Sequence, residues 1–391
     1  MEFRAHLPVE LEFGAGKIDM LGAIAARYGS RAFLVTMTDM VELGFAERAF
    51  ESLNRAGLET VLYDSTQPEP KSDQIDAAAA VLRAENCDVV IGLGGGSAMD
   101  VAKAVAICAK HTGPVWDYVN LSNRPPQPVD ASLTLPIIAV PTTAGTGSET
   151  TPYSVVTNTE TVQKGTIKEP AIFPRVAIVD PELSSRMPAA LTGATGIDAF
   201  AHSLESYLNV PNRSPLSDAL AETAMSALIR HLPNACADGN DLTARAGVAY
   251  AASLSGMVIA NAGTTVAHAI AQPLGARLGT SHADSVAIFT VPVLRHTLPA
   301  DAERIAKIGS LFPNFKGSGK ITQIAAELAV DAIEEFVRAA GVDTRLRDLG
   351  AQPSLVDELA EDVTTYMSRP LKQHPVVFEA EDIRSIVRAA M

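Results

Sequence analysis

The sequence predicts an α/β domain built on a parallel sheet over residues 1–183, followed by an all-helical domain over residues 184–391. Two observations carry this. In the first half, short apolar runs of strand type alternate with helix-like segments, and such alternation folds into a parallel sheet covered on both faces. After Asp180-Pro181 the β-branched runs give way to Ala- and Leu-rich stretches with apolar residues at helical spacing.

The elements follow in order. Residues 32–36 (AFLVT), 60–63 (TVLY) and 88–93 (DVVIGL) read as three strands. Between the last two, residues 72–86 are Ala-rich with apolar residues at helical spacing, so a helix links them. Residues 136–140 and 175–179 read as further strands, joined by loops rich in Thr, Gly and Pro. In the second half, residues 219–229 (ALAETAMSALI), 324–336 (IAAELAVDAIEEF) and 382–387 (DIRSIV) read as helices. No internal repeat or low-complexity linker is visible.

Composition narrows the function. The chain has 391 residues, 47% of them hydrophobic, enough for two or three core-forming units. Its 31 Lys and Arg against 45 Asp and Glu give a net charge of −14, which opposes attraction to nucleic acid and to anionic membranes. Cys87, Cys108 and Cys236 are far apart and form no CxxC spacing, which argues against a disulfide framework or a thiolate metal site. Glu2, Arg4, Glu10 and Glu12 interrupt the run that a secretory signal needs, so a reducing, cytoplasmic setting is expected. Residues 246–276 contain no Asp, Glu, Lys or Arg, yet they hold Asn261, Thr264, Thr265, His268, Gln272 and Pro273. Those polar groups are costly in hydrocarbon, so the stretch reads as buried helix near an active centre and not as a membrane span.

Three features carry chemistry. The strand at 88–93 runs into Gly94-Gly95-Gly96-Ser97 and then straight into a helix at 98–106. Glycines let a ligand approach the backbone, and free N–H groups at a helix start favour phosphate. The run is not a GxGxxG fingerprint, and a Gly-rich turn with no ligand is the alternative. Residues 141–149 (PTTAGTGSE) follow another strand and concentrate hydroxyls suited to phosphate or ribose, or to capping a surface turn. Asp198 and His202 stand four apart on a helical pattern and so share a face, as a metal pair or as an ordinary surface pair. His268 and His282 are each readable as core histidines; converging with the first pair they would make a divalent transition-metal site.

Taken together, GlyGlyGlySer-x-x-Asp, ProThrThrAlaGlyThrGlySerGlu, ThrGly-x-AspAla-x-x-His-x-x-Glu and two later histidines resemble the iron-containing (group III) alcohol dehydrogenase family. The resemblance runs nearly end to end, with the motifs in the same order. It implies a dinucleotide-binding domain followed by an all-helical metal-binding and substrate domain, in the dehydroquinate synthase-like fold of that family, with metal and nicotinamide meeting in a cleft. Residue by residue, Asp198, His202, His268 and His282 fall on the family's metal ligands. Gly94, Gly95, Gly96, Ser97, Asp100, Thr142, Thr143, Thr146, Ser148 and Lys164 fall on its NAD or NADP contacts, and the cation implied is Fe(II) ahead of Zn(II). A homodimer or larger homo-oligomer is implied by family habit.

Four positions depart from the pattern. Gln272 stands where the family has a second pocket histidine; it can orient a hydroxyl but cannot titrate. Met37 follows the Val35-Thr36 strand end where an Asp is frequent, which leaves the adenosine ribose without its usual acid. Ala283 replaces a glycine after His282, and His374-Pro375 replaces Asn-Pro, bringing a new imidazole toward the cleft. The reading is an oxidoreductase that interconverts a small primary alcohol, or a hydroxy acid, and its aldehyde or oxo form by hydride transfer, its cation serving as Lewis acid. A transhydrogenase with tightly held nicotinamide is the alternative. A dehydroquinate synthase-like cyclase or lyase is opposed by the 141–149 loop, and a noncatalytic assembly protein by the intact ligand set.

Overall fold

Apolar runs pair side by side along the first half because each is too short and too apolar to stand alone. The computed structural model, which describes residues 2–391, places five of them and one further strand in one parallel sheet. The strands are β1 (Glu10–Phe13), β2 (Arg31–Val35), β3 (Glu59–Tyr63), β4 (Val89–Gly94), β5 (Ile137–Pro141) and, after a separate hairpin, β8 (Val176–Val179). Their order is β1-β8-β5-β4-β2-β3. Alternation sends Phe33, Val35, Val90 and Ile137 to one apolar layer and Ala32, Leu34, Ile91, Ile138 and Val140 to the other. Helices α4 (Ser72–Ala84) and α5 (Gly96–Cys108) cover the first face; α1 (Leu21–Ala25) and α3 (Phe45–Arg55) cover the second, with the short α2 (Thr38–Glu42) between them in sequence.

Two parts of this unit differ from the sequence reading. β1 is an edge strand of sequence ELEF, whose glutamates hide the strand pattern. Where a loop was expected, β6 (Tyr153–Asn158) and β7 (Gln163–Lys168) form an antiparallel hairpin. Its turn is set by Asn158, whose Oδ1 accepts from the Glu160 and Thr161 backbone N–H groups at 2.9 and 3.2 Å.

Contacts divide the chain into Leu7–Arg186 and a second unit, Met187–Met391 with the N-terminal arm; the break falls three residues beyond the expected 183/184 boundary. The second unit is helical: α6 (Ala189–Leu208), α7 (Pro215–Ala237), α8 (Leu242–Ala262), α9 (Val266–Leu278), α10 (His282–Thr297), α11 (Ala302–Gly309), α12 (Thr322–Ala339), α13 (Leu355–Tyr366), α14 (Ser368–Leu371) and α15 (Ala380–Ala390). α7 starts on a capping box in which Ser214 and Ser217 satisfy each other's backbone N–H, with Pro215 at the first helical position. The uncharged stretch is two helices. Gly263, at φ 80°, ends α8 with a backbone geometry that favours glycine, and α9 begins three residues later. By length and composition α8 alone among the described residues could cross a membrane, but two-thirds of its apolar window is buried in the fold.

Candidate active site

The helical unit assembles its site on three helices. α6 is buried from Thr192 to Leu208, so the one-turn spacing of Asp198 and His202 points both inward. α9 contributes His268, and His282 opens α10 directly after the N-cap Ser281, whose hydroxyl accepts from the Asp284 N–H. The four side chains converge: one ligand atom from each lies within 4.8 Å of every other. The Nε2 atoms of His268, His202 and His282 are 3.5, 3.8 and 3.9 Å from Asp198 Oδ1. The His202 and His268 rings stack at 4.6 Å.

This donor set fits a divalent cation. Ligand atoms about 2.1 Å from a tetrahedral ion lie about 3.4 Å apart, close to the separations found. Asp198 is fully buried and neither of its oxygens has a hydrogen-bond partner, nor does Nε2 of His268. Buried polar atoms are rarely left so without a ligand. Burial raises the Asp198 carboxyl, but His202, His268 and His282 overcome it and hold the group well below the usual carboxylate range. Burial also works against a charge on His268, yet Glu205 and Asp198 outweigh it and hold its pKa at about 9.

Glu205, which the sequence reading quoted but gave no role, supports this cluster from behind. It lies three residues past His202, and its Oε1 accepts from His268 Nδ1 at 2.7 Å. That bond directs Nε2, the other ring nitrogen, toward Asp198. A second acid, one turn past His202 in a helix rich in small and apolar residues, was the signal available in the sequence.

In the α/β unit, the expected cofactor residues gather at the C-terminal ends of β2, β4 and β5. The chain leaves β2 toward β3 on one side and β4 toward β5 on the other, which makes the β2/β4 boundary a topological switch point where ligands settle. Met37 follows β2 there, and Gly94, Gly95, Gly96 and Ser97 join β4 to α5. No side chain caps α5, whose N-cap is Gly95, so its first N–H groups remain for a ligand. The 141–149 loop lies against this turn. A Cβ on Gly95 would come 3.2 Å from Thr143 Cγ2, and one on Gly96 would come 2.8 Å from Thr146 Cγ2. Thr142 is buried, and its backbone N–H donates to Gly94 O at 2.9 Å.

The other expected contacts have protein partners. Asp100 accepts from Ser148 Oγ at 2.8 Å and from the Val155 N–H at 2.9 Å, an arrangement that ties α5 to the loop and to β6. Lys164, buried on β7, pairs with Glu69. A residue absent from the sequence reading completes the support. Lys103 is fully buried and donates to Ser148 O, Ser148 Oγ and Tyr153 O at 2.6, 2.7 and 2.8 Å; burial brings its pKa down to about 8.

Residues 8–181 match the iron-containing alcohol dehydrogenase family, and residues 192–391 match the family's C-terminal domain. The chain belongs to the iron-containing alcohol dehydrogenase family. It is 33% identical over 390 residues to the NAD-dependent methanol dehydrogenase of Bacillus methanolicus, covering 98% of this chain and 99% of that one. It is 36% identical over 353 residues to the 1,3-propanediol dehydrogenase of Klebsiella pneumoniae, 89% of each chain. An archaeal halo-thermophilic alcohol dehydrogenase from a Red Sea brine pool superposes with a TM-score of 0.95 at 35% identity, over 100% of this chain and 99% of that one.

Within this iron-containing alcohol dehydrogenase family member the departures acquire places. Gln272 is half-buried one turn beyond His268 on α9, and its Oε1 has no hydrogen-bond partner within the protein. Met37 is half-buried at the end of β2 and bridges to Ser65. His374 does not join the four ligands as a further imidazole. It is buried behind Glu205, where Thr265 and Thr297 bind both its ring nitrogens.

Proposed function

We propose that this family member is a metal- and NAD(P)-dependent alcohol dehydrogenase that interconverts a small primary alcohol, or a hydroxy acid, with its aldehyde or oxo form. The observation that carries the reading is the buried Asp198 carboxylate, without a hydrogen-bond partner of its own and faced by three imidazole nitrogens. Asp198, His202, His268 and His282 would hold a divalent cation, iron(II) ahead of zinc on family grounds, which would supply a Lewis acid for the substrate oxygen, and a bound nicotinamide would supply the hydride chemistry. The protein supplies placement. Glu205 fixes the ring of His268, Gln272 offers an amide to a hydroxyl, and the Gly94–Gly96 turn with α5 takes the pyrophosphate. The test is a steady-state screen of short alcohols and aldehydes with NAD(H) and NADP(H) after reconstitution with ferrous iron or with zinc. Turnover that survives complete chelation would overturn the metal's role.

Nucleotide choice follows from Met37. An acid at this strand end bonds the ribose and repels a 2′-phosphate, and a thioether does neither. NADP(H) is therefore expected to be tolerated beside NAD(H), with kcat/KM ratios below about 1,000, near 4 kcal/mol. A larger preference for NAD would show that Thr36, Thr38 or Asp39 supplies the discrimination instead.

Cation loading should depend on pH. A proton held on His268 up to pH about 9 must leave before its nitrogen can bind a metal. Apparent affinity is expected to rise roughly tenfold per pH unit between about 6.5 and 9, measured by cobalt(II) titration at three pH values. The same raised pKa adds stability to the cation-free fold. That contribution is complete below pH about 6.5 and lost as pH rises through 9.

A further inference from the structure

Behind the four candidate ligands runs a buried polar chain. Glu205 Oε2 accepts from the Thr265 N–H at 2.5 Å and from Thr265 Oγ1 at 3.1 Å, while its Oε1 takes the Nδ1 proton of His268. Thr265 Oγ1 lies 3.0 Å from His374 Nδ1, and His374 Nε2 lies 2.7 Å from Thr297 Oγ1 on α10. Glu205, Thr265, Thr297 and His374 are all buried. His374 reaches the group from the segment between α14 and α15, 109 residues beyond Thr265.

With the Thr265 hydroxyl proton given to Glu205, the order of donors and acceptors along this chain follows. A carboxylate only accepts, and Thr265 has a single hydroxyl proton, which goes to Glu205. The Thr265 oxygen must then accept from His374, so Nδ1 of that ring carries the proton. Burial pushes His374 down to about 4, and a neutral ring protonated on Nδ1 has a bare Nε2. Thr297 must therefore turn its hydroxyl from the Val293 carbonyl, 2.8 Å away, toward Nε2. Protons are thus donated from Thr297 to His374, from His374 to Thr265 and from Thr265 to Glu205. Glu205 in turn holds His268 through Nδ1, so that Nε2 faces Asp198 and is the nitrogen offered once its proton leaves.

We infer that His374 is a positioning residue: through Thr265 and Glu205 it fixes the orientation in which His268 offers Nε2 to a divalent cation. The inference rests on the metal-site reading of Asp198, His202, His268 and His282, and it assigns His374 a task outside that ligand set.

The test titrates the chelator-stripped full chain with cobalt(II), read by its d–d absorption and by calorimetry. Wild type is compared with His374→Ala, His374→Asn, Thr297→Val and Asp198→Asn, and NAD binding by each variant checks that it is folded. His374→Ala should weaken cobalt binding about 10- to 100-fold, the usual cost of losing an outer-shell partner. His374→Asn keeps an N–H donor for Thr265 and should stay within about threefold of wild type. Thr297→Val releases the constraint on Nε2 and should cost at least about threefold. Wild-type affinity in His374→Ala, or equal losses in His374→Ala and His374→Asn, would overturn the inference. Should His374→Ala fail to fold, wild-type affinity in Thr297→Val overturns it. No cobalt uptake by the wild type, or full uptake by Asp198→Asn, overturns the site reading and the inference with it.

Discussion

Replacing Asp198 by asparagine is expected to lower divalent-cation affinity by more than about 100-fold, because loss of an outer partner alone costs 10- to 100-fold and Asp198 is the sole anion of the four. It should also lower kcat/KM by at least about 1,000-fold, since stabilisation of charge at the substrate oxygen is worth several kcal/mol. Asn keeps the size of the side chain, so packing inside α6 is preserved and the loss reports charge. Burial is what makes the charge matter: Asp198 is fully enclosed, and only the imidazoles facing it hold its carboxyl low. Metal analysis of the purified variant, beside calorimetry with cobalt(II), is the measurement. Stoichiometric metal at unchanged affinity would remove Asp198 from the ligand set.

How far the sequence disclosed this site depends on the range of each signal. Asp198 and His202 were legible because a helix puts residues four apart on one face. The Gly94–Gly96 turn was legible because strand, glycines and helix follow without interruption. Glu205 carried a weaker signal, a second acid one turn past His202, whose meaning depends on an acceptor geometry formed with Thr265 and His268, 60 and 63 residues away. Thr265, noted only as one polar group of the uncharged stretch, and Thr297, a threonine in an apolar helix, gave no hint of this role, since their shared partner is 109 and 77 residues distant. His374 was visible as an oddity but misplaced: the sequence suggests an imidazole facing the cleft, and tertiary packing puts it behind Glu205. In the fold, the apolar strands announced themselves as apolar runs, whereas β1 was hidden by its glutamates and the β6–β7 hairpin by its polar residues, the buried Lys164 among them. Lys103 was missed for a related reason, because a lysine in a helix normally reaches solvent and this one ends among carbonyls.

Gly96→Val is expected to raise the dissociation constant for NAD(H) by at least about tenfold, near 1.4 kcal/mol, while leaving cobalt(II) binding unchanged. The two readouts separate because the turn belongs to the α/β unit and the four candidate ligands belong to the helical one. Gly96 has no left-handed backbone to protect, unlike Gly94 at φ 149°, so substitution tests close approach and not strain. An added Cβ would sit 2.8 Å from Thr146 Cγ2 and 3.2 Å from its Oγ1. Thr146 cannot swing away freely, because that oxygen accepts the Ser148 N–H at 3.2 Å. The collision therefore either displaces the 141–149 loop or lifts the first turn of α5, and in both cases the N–H groups offered to a pyrophosphate move. Removing the obstacle should restore part of the loss: Thr146→Ala in the Gly96→Val background is expected to bind nucleotide more tightly than Gly96→Val alone, a coupling that a double-mutant cycle measures. Unchanged nucleotide affinity in Gly96→Val would mean that the turn is only a link between β4 and α5 and that the nucleotide lies elsewhere.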